Sequence, residues 1–591
     1  MNWFKKIKYL LGFFALIFFF SCRQAYEYKM PNVIIVLADD QGYGDFSCNG
    51  NPVLETPSLD KLYDESIRFS DFHVCPLCTP TRGELLTGVD AMRNGAATVL
   101  TARNILKRNL ITMPEVFKDN GYSTGIFGKW HLGDSYPDRP MDKGFQKCIW
   151  HKGWGLRSEI EFDNDYYETR YLDSLETKYS NKYCTNLWFD KAREWMEEMA
   201  LQNKPFFSYI ALNAPHGPFD SPKQDFDFFK NKIENEKTAS FLGMIRNIDR
   251  NMNRLDNWLG EKGLKENTIL IYMNDNGTAQ GELVYNANMR GKKGSNYEGG
   301  HRAACLFRYP KADIKSSRTI SFPAQIQDVL PTLIDLLQLK VDSKCKFDGE
   351  SLKPYLYSTD STSPDRMLVV QYGGGTKPEK YFSTVIWNSW RLVEGDELYD
   401  LKTDPSQETN IANKFPDVFN KMKSYYEQWW QEIEPGNDQF VPIIIGTAQE
   451  NPVIINSSSW EKKAVNTQWA VAGGAGNPRG GISHLKAMEA GTYKIDLSRW
   501  PFHLNKKLTE PGLSTSIGGT KINKGKALPI HAGCISINNE TEDVKNTEAD
   551  AKDISFELNL PKGEIDFQAW FKDDKGNDVC GAYYVRIEKI N

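Results

Sequence analysis

Two long apolar runs constrain the fold of this 591-residue chain more than any other feature. Residues 32–38 read NVIIVLA and residues 268–273 read TILIYM, without the apolar and polar alternation of a half-exposed strand. Continuous runs rich in β-branched residues are typical of strands buried on both faces in a parallel sheet. Between them, amphipathic stretches such as residues 187–199 predict covering helices. The sequence therefore predicts an α/β fold in which helices flank a central sheet.

The length of the chain requires more than one hydrophobic core. Residues 415–433 form an aromatic-rich helical pattern that ends at Pro435 and Gly436, where we expect a domain boundary. Beyond residue 440, short alternating runs between Gly, Asn and Pro clusters predict an antiparallel β-sandwich. The expected units are a large α/β domain (30–350), a small α+β subdomain (351–436) and an appended all-β sandwich domain (440–591).

The N-terminal residues predict an export signal. Three lysines within residues 5–8 precede an apolar run, residues 9–20, that is too short to span a bilayer comfortably. The run ends at Ser21 and Cys22, which resembles the lipobox of bacterial lipoproteins, where the cysteine is lipidated. We expect residues 1–22 to be a lipoprotein signal and Cys22 a lipid anchor, so that the protein is exported and held at a membrane, in the periplasm or on the cell surface. Ordinary secretion and an uncleaved membrane anchor are the alternatives.

Charge and cysteine content exclude several classes of protein. Lys and Arg total 72 against 77 Asp and Glu, so the chain has no basic field for a nucleic-acid backbone, and nucleic acid is not an expected partner. Ten cysteines in a chain of this size do not form a dense disulfide framework. Cys534 and Cys580 are a candidate disulfide pair that their spacing alone does not test.

The segment CTPTRGELLTG at residues 78–88 is the strongest chemical signal. Thr79 followed by Pro80 predicts a helix N-cap with proline at the first helical position. Cys78 would then lie just ahead of a helix N-terminus, where partial positive charge favours anions. A nucleophile at this position would face an anionic substrate. The alternative is a redox or zinc pair of Cys75 with Cys78, but no second CxxC motif and no thioredoxin-like setting accompany it.

Oxygen-bearing side chains directly follow both apolar runs. Asp39 and Asp40 come after the first run, and Asp275 and Asn276 come after the second. Ligands of open α/β sheets bind at the carboxyl ends of the strands, so we expect both groups at one rim. Hard oxygen donors suit Ca²⁺, and Mg²⁺ less well, whereas a two-zinc site would need several histidines. The sequence therefore predicts a calcium site.

Three further motifs supply cations and histidines. GKWHLG at residues 128–133 follows a short apolar strand, and if that strand continues, Lys129 and His131 project from the same face. His216 follows another apolar run, residues 206–212. The last motif, residues 290–302, contains two neighbouring lysines, Lys292 and Lys293.

Together these motifs resemble the type I, formylglycine-dependent sulfatases of the alkaline phosphatase superfamily, over about residues 31–412. The resemblance implies an alkaline-phosphatase-like central sheet and oxidation of Cys78 to formylglycine (3-oxoalanine) by a maturation enzyme. Its hydrate has two geminal hydroxyls, of which one attacks sulfur and the other, once deprotonated, expels sulfate. The family pattern departs at Thr81, where serine is commoner, and at Ala303 and Ala304, where relatives carry a hydrophobic residue and proline.

The resemblance also implies a role for each motif residue. Ca²⁺ is held by four side chains together with the oxygen of the modified Cys78. Two lysines and an arginine surround the sulfate, one histidine is the base that releases sulfate, and another is the general acid that protonates the leaving oxygen. The implied metal ligands are Asp39, Asp40, Asp275 and Asn276, and the implied catalytic residues are Cys78, Arg82, Lys129, Lys293, His131 as the base and His216 as the acid. Alignment of the family loop on Gly294 and Glu298 implies Lys293 as the second lysine, with Lys292 as the alternative.

The implied substrate is a sulfate ester on a polysaccharide or oligosaccharide, such as ulvan, carrageenan or a glycosaminoglycan. His151 and Lys152, in a loop-like stretch, are candidate sugar contacts, although plain loop chemistry is the simpler interpretation. Trp500 and Trp570 could stack on sugars, but a place in the core is favoured. Two other functions stay open: a phosphonate or phosphate ester hydrolase of the same superfamily, and a catalytically inactive glycan-binding lipoprotein.

Overall fold

The computed structural model describes residues 30–591, with short gaps, so that the predicted signal segment and Cys22 lie outside the described residues. The gaps are residues 100–101, 159–161, 163, 313, 315–316, 359–362, 374–377, 438, 462–464, 466, 513–515, 518–519 and 522–524. Within the described ranges, no helix has both the length and the apolar character that crossing a membrane requires.

An eleven-stranded mixed sheet forms the centre of the large domain, in the order β10-β2-β9-β8-β1-β7-β3-β4-β5-β6 with β11 beside β2. Its five middle strands, β8, β1, β7, β3 and β4, are mutually parallel. The strands are β1 (Asn32–Asp39), β2 (Ile67–His73), β3 (Ser123–Lys129), β4 (Lys147–His151), β5 (Thr169–Asp173), β6 (Glu176–Ser180), β7 (Phe206–Pro215), β8 (Thr268–Asn274), β9 (Arg302–Arg308), β10 (Arg318–Ile320) and β11 (Ala324–Gln325).

The two apolar runs of the sequence are neighbouring parallel strands, as predicted, with Asn32 in register with Thr268. Every residue of β1 is buried, because successive side chains enter two different cores. Val33, Ile35 and Leu37 pack into one core, and the residues between them pack into the core on the opposite face. This explains why the run is apolar throughout rather than alternating.

Helices cover both faces of the sheet, which confirms the α/β prediction. The predicted helix at residues 187–199 lies inside an 18-residue helix. The helices up to residue 357 are α1 (Pro57–Glu65), α2 (Cys78–Thr87), α3 (Ala91–Asn94), α4 (Met113–Asp119), α5 (Cys184–Leu201), α6 (Lys223–Phe229), α7 (Glu236–Glu261), α8 (Glu298–His301), α9 (Val329–Leu337) and α10 (Lys353–Tyr357).

A small antiparallel sheet and one long helix follow. The sheet has the order β12-β13-β14-β15, and its strands are β12 (Met367–Gln371), β13 (Ser383–Trp387), β14 (Trp390–Val393) and β15 (Glu397–Asp400). The predicted aromatic-rich helix is α11 (Pro416–Ile433), whose buried Tyr426 and Trp430 pack against this sheet.

The described residues beyond 440 are mainly strands, as the alternating pattern predicted, with one short α-helix, α12 (Gln468–Gly473), and two 3-10 turns. Two sheets, β16-β18-β25-β22-β23 with β26 beside β25, and β17-β27-β19-β24, enclose a common apolar core. Trp500 and Trp570 are buried, so they do not offer stacking surfaces. The strands are β16 (Ile443–Ile445), β17 (Val453–Ile455), β18 (Ser483–Ala487), β19 (Gly491–Ser498), β20 (Ser516–Ile517), β21 (Thr520–Lys521), β22 (Ala532–Ile537), β23 (Glu540–Asn546), β24 (Ile554–Leu560), β25 (Gly563–Lys572), β26 (Asp578–Gly581) and β27 (Tyr584–Lys589).

The candidate disulfide between Cys534 and Cys580 is wrong, since both thiols are free. Cys534 lies opposite Trp570 and Cys580 lies opposite Phe571, on the two strands that flank β25. Strands two apart in a sheet are separated by about 9–10 Å. Because Cα atoms of a disulfide must lie within about 7 Å, these cysteines cannot be joined.

Candidate active site

Four parallel strands bring the predicted site residues to one edge of the central sheet. Asp39 is the last residue of β1, and Lys129 is the last residue of β3. His216 directly follows β7, and Asp275 directly follows Asn274, the last residue of β8. Because these strands run in the same direction, their carboxyl ends meet at this edge, as the sequence predicted.

Cys78 lies at the centre of this edge as the first residue of α2. The predicted cap is wrong by two positions, because Leu77 occupies the N-cap and Thr79 and Pro80 already lie within the helix. Thr79 instead uses its hydroxyl to donate to the carbonyl of His131, at 3.4 Å. The Cys78 Sγ atom is buried and lies 3.5 Å from His131 Nδ1.

Three carboxylates converge beside Cys78. Oxygens of Asp39, Asp40 and Asp275 all lie within 4.8 Å of one another. Asp40 has a left-handed backbone, with φ of 72°, and its amide donates to Asp275 Oδ1 at 3.1 Å, which turns the chain sharply after β1. Burial raises the pKa of Asp275, and the neighbouring Asp39 carboxylate raises it further. Three buried carboxylates this close together repel one another, so nearby positive charge is needed to stabilise them.

Two buried oxygen atoms support a cation site at this cluster. Asp39 Oδ1 and Asn276 Oδ1 have no hydrogen-bond partner among the residues that the structure describes. The Asn276 amide nitrogen donates to Asp40 Oδ1 at 2.9 Å, which leaves its own oxygen facing away as a donor for a metal. Buried polar atoms without a partner are costly, so oxygen atoms of this kind fit Ca²⁺ coordination.

Three cationic side chains surround the carboxylates. Lys129 Nζ lies 2.6 Å from Asp39 Oδ2, and Arg82 Nη2 lies 2.8 Å from Asp275 Oδ2. Lys293 Nζ lies 2.5 Å from Asp40 Oδ1, whereas Lys292 pairs with Glu282 away from the cluster, so the structure places Lys293 at the site. Burial alone would raise the pKa of Asp39, but Lys129 and other nearby cations hold it well below its usual value.

His131 reaches Cys78 through a turn and not through a continued strand. Strand β3 ends at Lys129, and His131 has a left-handed backbone with φ of 61°, so the prediction that both project from one strand face is wrong. Burial, with the charges of Lys129 and Arg82, lowers the pKa of His131 well below its usual value. The imidazole is therefore neutral and can accept a proton.

His216 lies on the other side of the carboxylates. Its Nδ1 donates to the carbonyl of Gly217 at 2.6 Å, which leaves Nε2 as the nitrogen that exchanges protons. Nε2 lies 3.8 Å from Asp40 Oδ2. Burial lowers the pKa of His216, and Asp40 opposes that effect. The hydroxyl of Tyr166 lies 2.7 Å from the His216 carbonyl and so fixes this turn, a contact that no local sequence pattern signals.

The two candidate sugar contacts lie beyond β3, on and after β4. His151 is fully buried, and its Nε2 accepts from the Asn213 side chain at 2.8 Å, so it is not open to a sugar in this structure. Lys152 is partly exposed. Two neighbouring residues were not singled out by the sequence. Asn213 links His151 to the turn before His216. Trp154 was one of several residues in a loop, and its ring centroid lies 5.3 Å from that of His216.

A model of the sulfatase family matches residues 31–339, just over half of the chain. The chain belongs to the sulfatase family. Arylsulfatase J of Mus musculus is 31% identical over 335 residues, which cover 54% of this chain and 55% of that protein. The ulvan-active sulfatase of Formosa agariphila is 27% identical over 422 residues, covering 67% of this chain and 79% of that protein.

A solved structure matches the same fold. The crystal structure of Ps i-CgsB in complex with k-i-k-neocarrahexaose superposes with a TM-score of 0.62 at 25% identity and covers 68% of this chain and 92% of that chain. The chain spans about half the length of arylsulfatase J and most of the length of the other two proteins. The predicted family and its central α/β fold are therefore confirmed.

Proposed function

We propose that this protein is a calcium- and formylglycine-dependent sulfatase that hydrolyses sulfate esters on a sulfated polysaccharide or oligosaccharide. The observation that carries the proposal is the position of Cys78, which lies between a neutral histidine and two lysines at a carboxylate cluster with partnerless oxygens. Burial raises the pKa of the Cys78 thiol, with Lys129 and Lys293 opposing it only in part. An unmodified thiol would therefore be a weak nucleophile, which favours its conversion.

Carbohydrate is the substrate class that the relatives favour. One relative is named an ulvan-active sulfatase, another is named N-acetylgalactosamine-6-sulfatase, and one structure contains a neocarrahexaose. All three names include a saccharide. We extend this substrate class to the present chain, with ulvan, carrageenan or a glycosaminoglycan as the candidates.

Each side chain has one part in the proposed reaction. One hydroxyl of the formylglycine hydrate at position 78 attacks sulfur and passes its proton to a carboxylate of the cluster. The bond from sulfur to the leaving oxygen breaks, and the imidazolium form of His216 gives that oxygen the proton on Nε2. His216 regains this proton from solvent before the next turnover. His131 then takes the proton of the second hydroxyl, the carbon–oxygen bond to sulfate breaks, and the aldehyde re-forms and is hydrated by water. Lys129 and Lys293 hold the sulfate oxygens through both steps.

The metal would be held by Asp39, Asp40, Asp275 and Asn276. When bound, Ca²⁺ would supply positive charge that stabilises the oxygens of the sulfate and of the residue at position 78. Arg82, which is fully buried against Asp275, keeps that carboxylate oriented for the ion.

Maturation and location complete the proposal. A formylglycine-generating enzyme would oxidise Cys78, and the lipobox-like end of the signal would attach the protein to a membrane through Cys22, facing the periplasm or the cell exterior. The match of the cysteine segment to the family signature supports the first part, and the sequence of residues 5–22 supports the second.

The first test is release of free sulfate from defined algal and glycosaminoglycan saccharides by protein that was co-produced with a maturation enzyme. We expect release from one class of saccharide and none with Cys78→Ala, because the variant cannot form the aldehyde. Matched phosphate esters serve as the comparison. Faster hydrolysis of the phosphate, or no release although mass spectrometry shows full conversion of Cys78, would contradict the sulfatase proposal.

Calcium binding has a test that does not depend on turnover. We expect Ca²⁺ to raise the melting temperature of chelator-treated protein by several degrees, because a ligand at a hundred times its Kd adds about 2.7 kcal/mol to stability. Mg²⁺ at the same concentration should have a smaller effect. The rise should vanish in Asp39→Asn and persist in Asp45→Asn, a buried aspartate outside the cluster. An equal rise in both variants would show that the ion binds elsewhere.

A further inference from the structure

A cavity of about 280 Å³ lies where the large domain meets the C-terminal β-sandwich. We propose that this junction cavity binds a second anionic group of the saccharide, on a sugar next to the one whose sulfate ester is cleaved. The inference rests on the proposed function. The large domain contributes Asp134, Lys152 and Arg170 to the walls, and the sandwich contributes Asn456, Phe502 and His503.

The junction cavity begins beside the candidate active site. Lys152 directly follows His151, which is in register with Lys129 on the neighbouring strand. Neighbouring strands lie about 4.8 Å apart. Two residues after Lys152, Trp154 packs against His216, the proposed acid for the leaving group. Since two residues span at most about 7 Å, the cavity wall starts close to where the leaving sugar would lie.

The cationic groups of the cavity favour an anion. Lys152 Nζ makes no hydrogen bond or ion pair with any residue that the structure describes. Arg170 lines the same cavity, and its Nη1 lies 2.9 Å from His503 Nε2. A sulfate or a carboxylate on the neighbouring sugar has the charge and the oxygens to accept from Lys152 Nζ.

Asp134 is the acidic residue among the described residues of the cavity wall. Asp134 Oδ1 accepts from the amide of Gly153 at 3.0 Å, and Oδ2 lies 3.4 Å from the Asn456 amide nitrogen. Both oxygens are thus used to join the loop after β4 to the sandwich. Burial raises the pKa of Asp134, and the charge of Lys152 opposes that effect. The Phe502 ring adds an apolar face of the kind on which a sugar ring packs.

This assignment gives the C-terminal sandwich a part in substrate choice. The match to the family model ends at residue 339, so it does not include the sandwich walls. Asn456, Phe502 and His503 close the cavity from that side. A substrate held there must extend beyond one sugar, so the protein is expected to favour oligosaccharides with charges on adjacent units.

The test compares kcat/KM for three oligosaccharides that share the target sugar. The neighbouring sugar carries a sulfate in the first, a carboxylate in the second and no charge in the third. We expect the wild type to prefer a charged neighbour by about tenfold, the effect of one charge-assisted hydrogen bond. Lys152→Ala and His503→Ala should reduce that preference, while Lys147→Ala, at the other end of β4, should keep it. The more strongly preferred anion identifies the group that binds.

Three results would overturn the inference. Equal kcat/KM on all three oligosaccharides in the wild type would show that no second anion is bound. An unchanged preference in both Lys152→Ala and His503→Ala would place that anion elsewhere. Failure to release sulfate from any oligosaccharide and from a small aryl sulfate, with Cys78 fully converted, would instead remove the proposed function itself. The aryl sulfate thus separates failure of the cavity from failure of the enzyme.

Discussion

His131→Asn is expected to release the alcohol product once per enzyme molecule and then to stall. The first step needs His216, so the variant should still form the covalent sulfate ester at position 78. Without an imidazole 3.5 Å away, the second hydroxyl keeps its proton and sulfate stays attached. General base catalysis typically contributes 10²–10⁴-fold, so we expect turnover to fall by about that factor. Asparagine is the substitution of choice because the left-handed backbone at this position, φ of 61°, tolerates it.

The matched variant is His216→Asn, which should show no burst. Loss of the acid slows the first step, and the loss should be larger for a sugar alcohol than for an aryl group that leaves without protonation. Rapid-quench measurement of alcohol release, with intact-mass detection of the sulfated protein, distinguishes the two variants. A His131→Asn enzyme that turns over without accumulating the sulfated form would show that another group is the base.

Much of this site could be predicted from the sequence because its residues directly follow buried strands. A strand buried on both faces must be apolar throughout, so the polar residues after residues 32–38 and 268–273 stand out. Parallel strands then bring Asp39, Lys129 and Asp275 to one edge without further information. The sandwich could be predicted for a similar reason, since strands such as β24 alternate between buried and more exposed residues.

Other features depend on contacts that no local pattern encodes. The turn that carries His131 to Cys78 and the hydroxyl of Tyr166 that holds His216 are set by packing between distant segments. The pairing of Cys534 with Cys580 was wrong because strand order, which spacing does not reveal, puts β25 between them. The junction cavity exists only because two domains meet, so neither domain's sequence pattern predicts it.

Arg391 makes a buried contact between the small sheet and the large domain, and its removal should strongly destabilise the protein. It lies on β14 of the small sheet, is fully buried, and reaches two carboxylates of the large domain. Its Nε lies 2.6 Å from Glu298 Oε1, and its Nη2 lies 2.8 Å from Asp71 Oδ1. Glu298 begins α8, five residues after Lys293, so the same contact supports the loop that carries the second lysine. Arg391 thus joins the small sheet to the proposed sulfate site.

We expect Arg391→Leu to lower the free energy of unfolding by about 3–5 kcal/mol, because two buried carboxylates lose their main partner. Lys353→Leu, which breaks a partly exposed pair with Asp335, should cost less than about 1 kcal/mol. Urea titration, followed by fluorescence and by residual activity, measures both. Equal losses in the two variants would show that Arg391 is not the main support of Glu298 and Asp71.

The stability difference between wild type and Arg391→Leu should also depend on pH. Burial would raise the pKa of Glu298, but Arg391 and nearby groups hold it below its usual value in the folded protein. As the pH falls through about 4.3, the ordinary pKa of glutamate, Glu298 takes up a proton in the unfolded chain but not yet in the folded protein. Below that pH the stabilisation that Arg391 gives is lost progressively, so the gap between the two proteins should be full near neutrality and should narrow in acid. A gap that stays constant down to the lowered folded pKa of Glu298 would mean that Arg391 stabilises the fold by packing rather than by its charge.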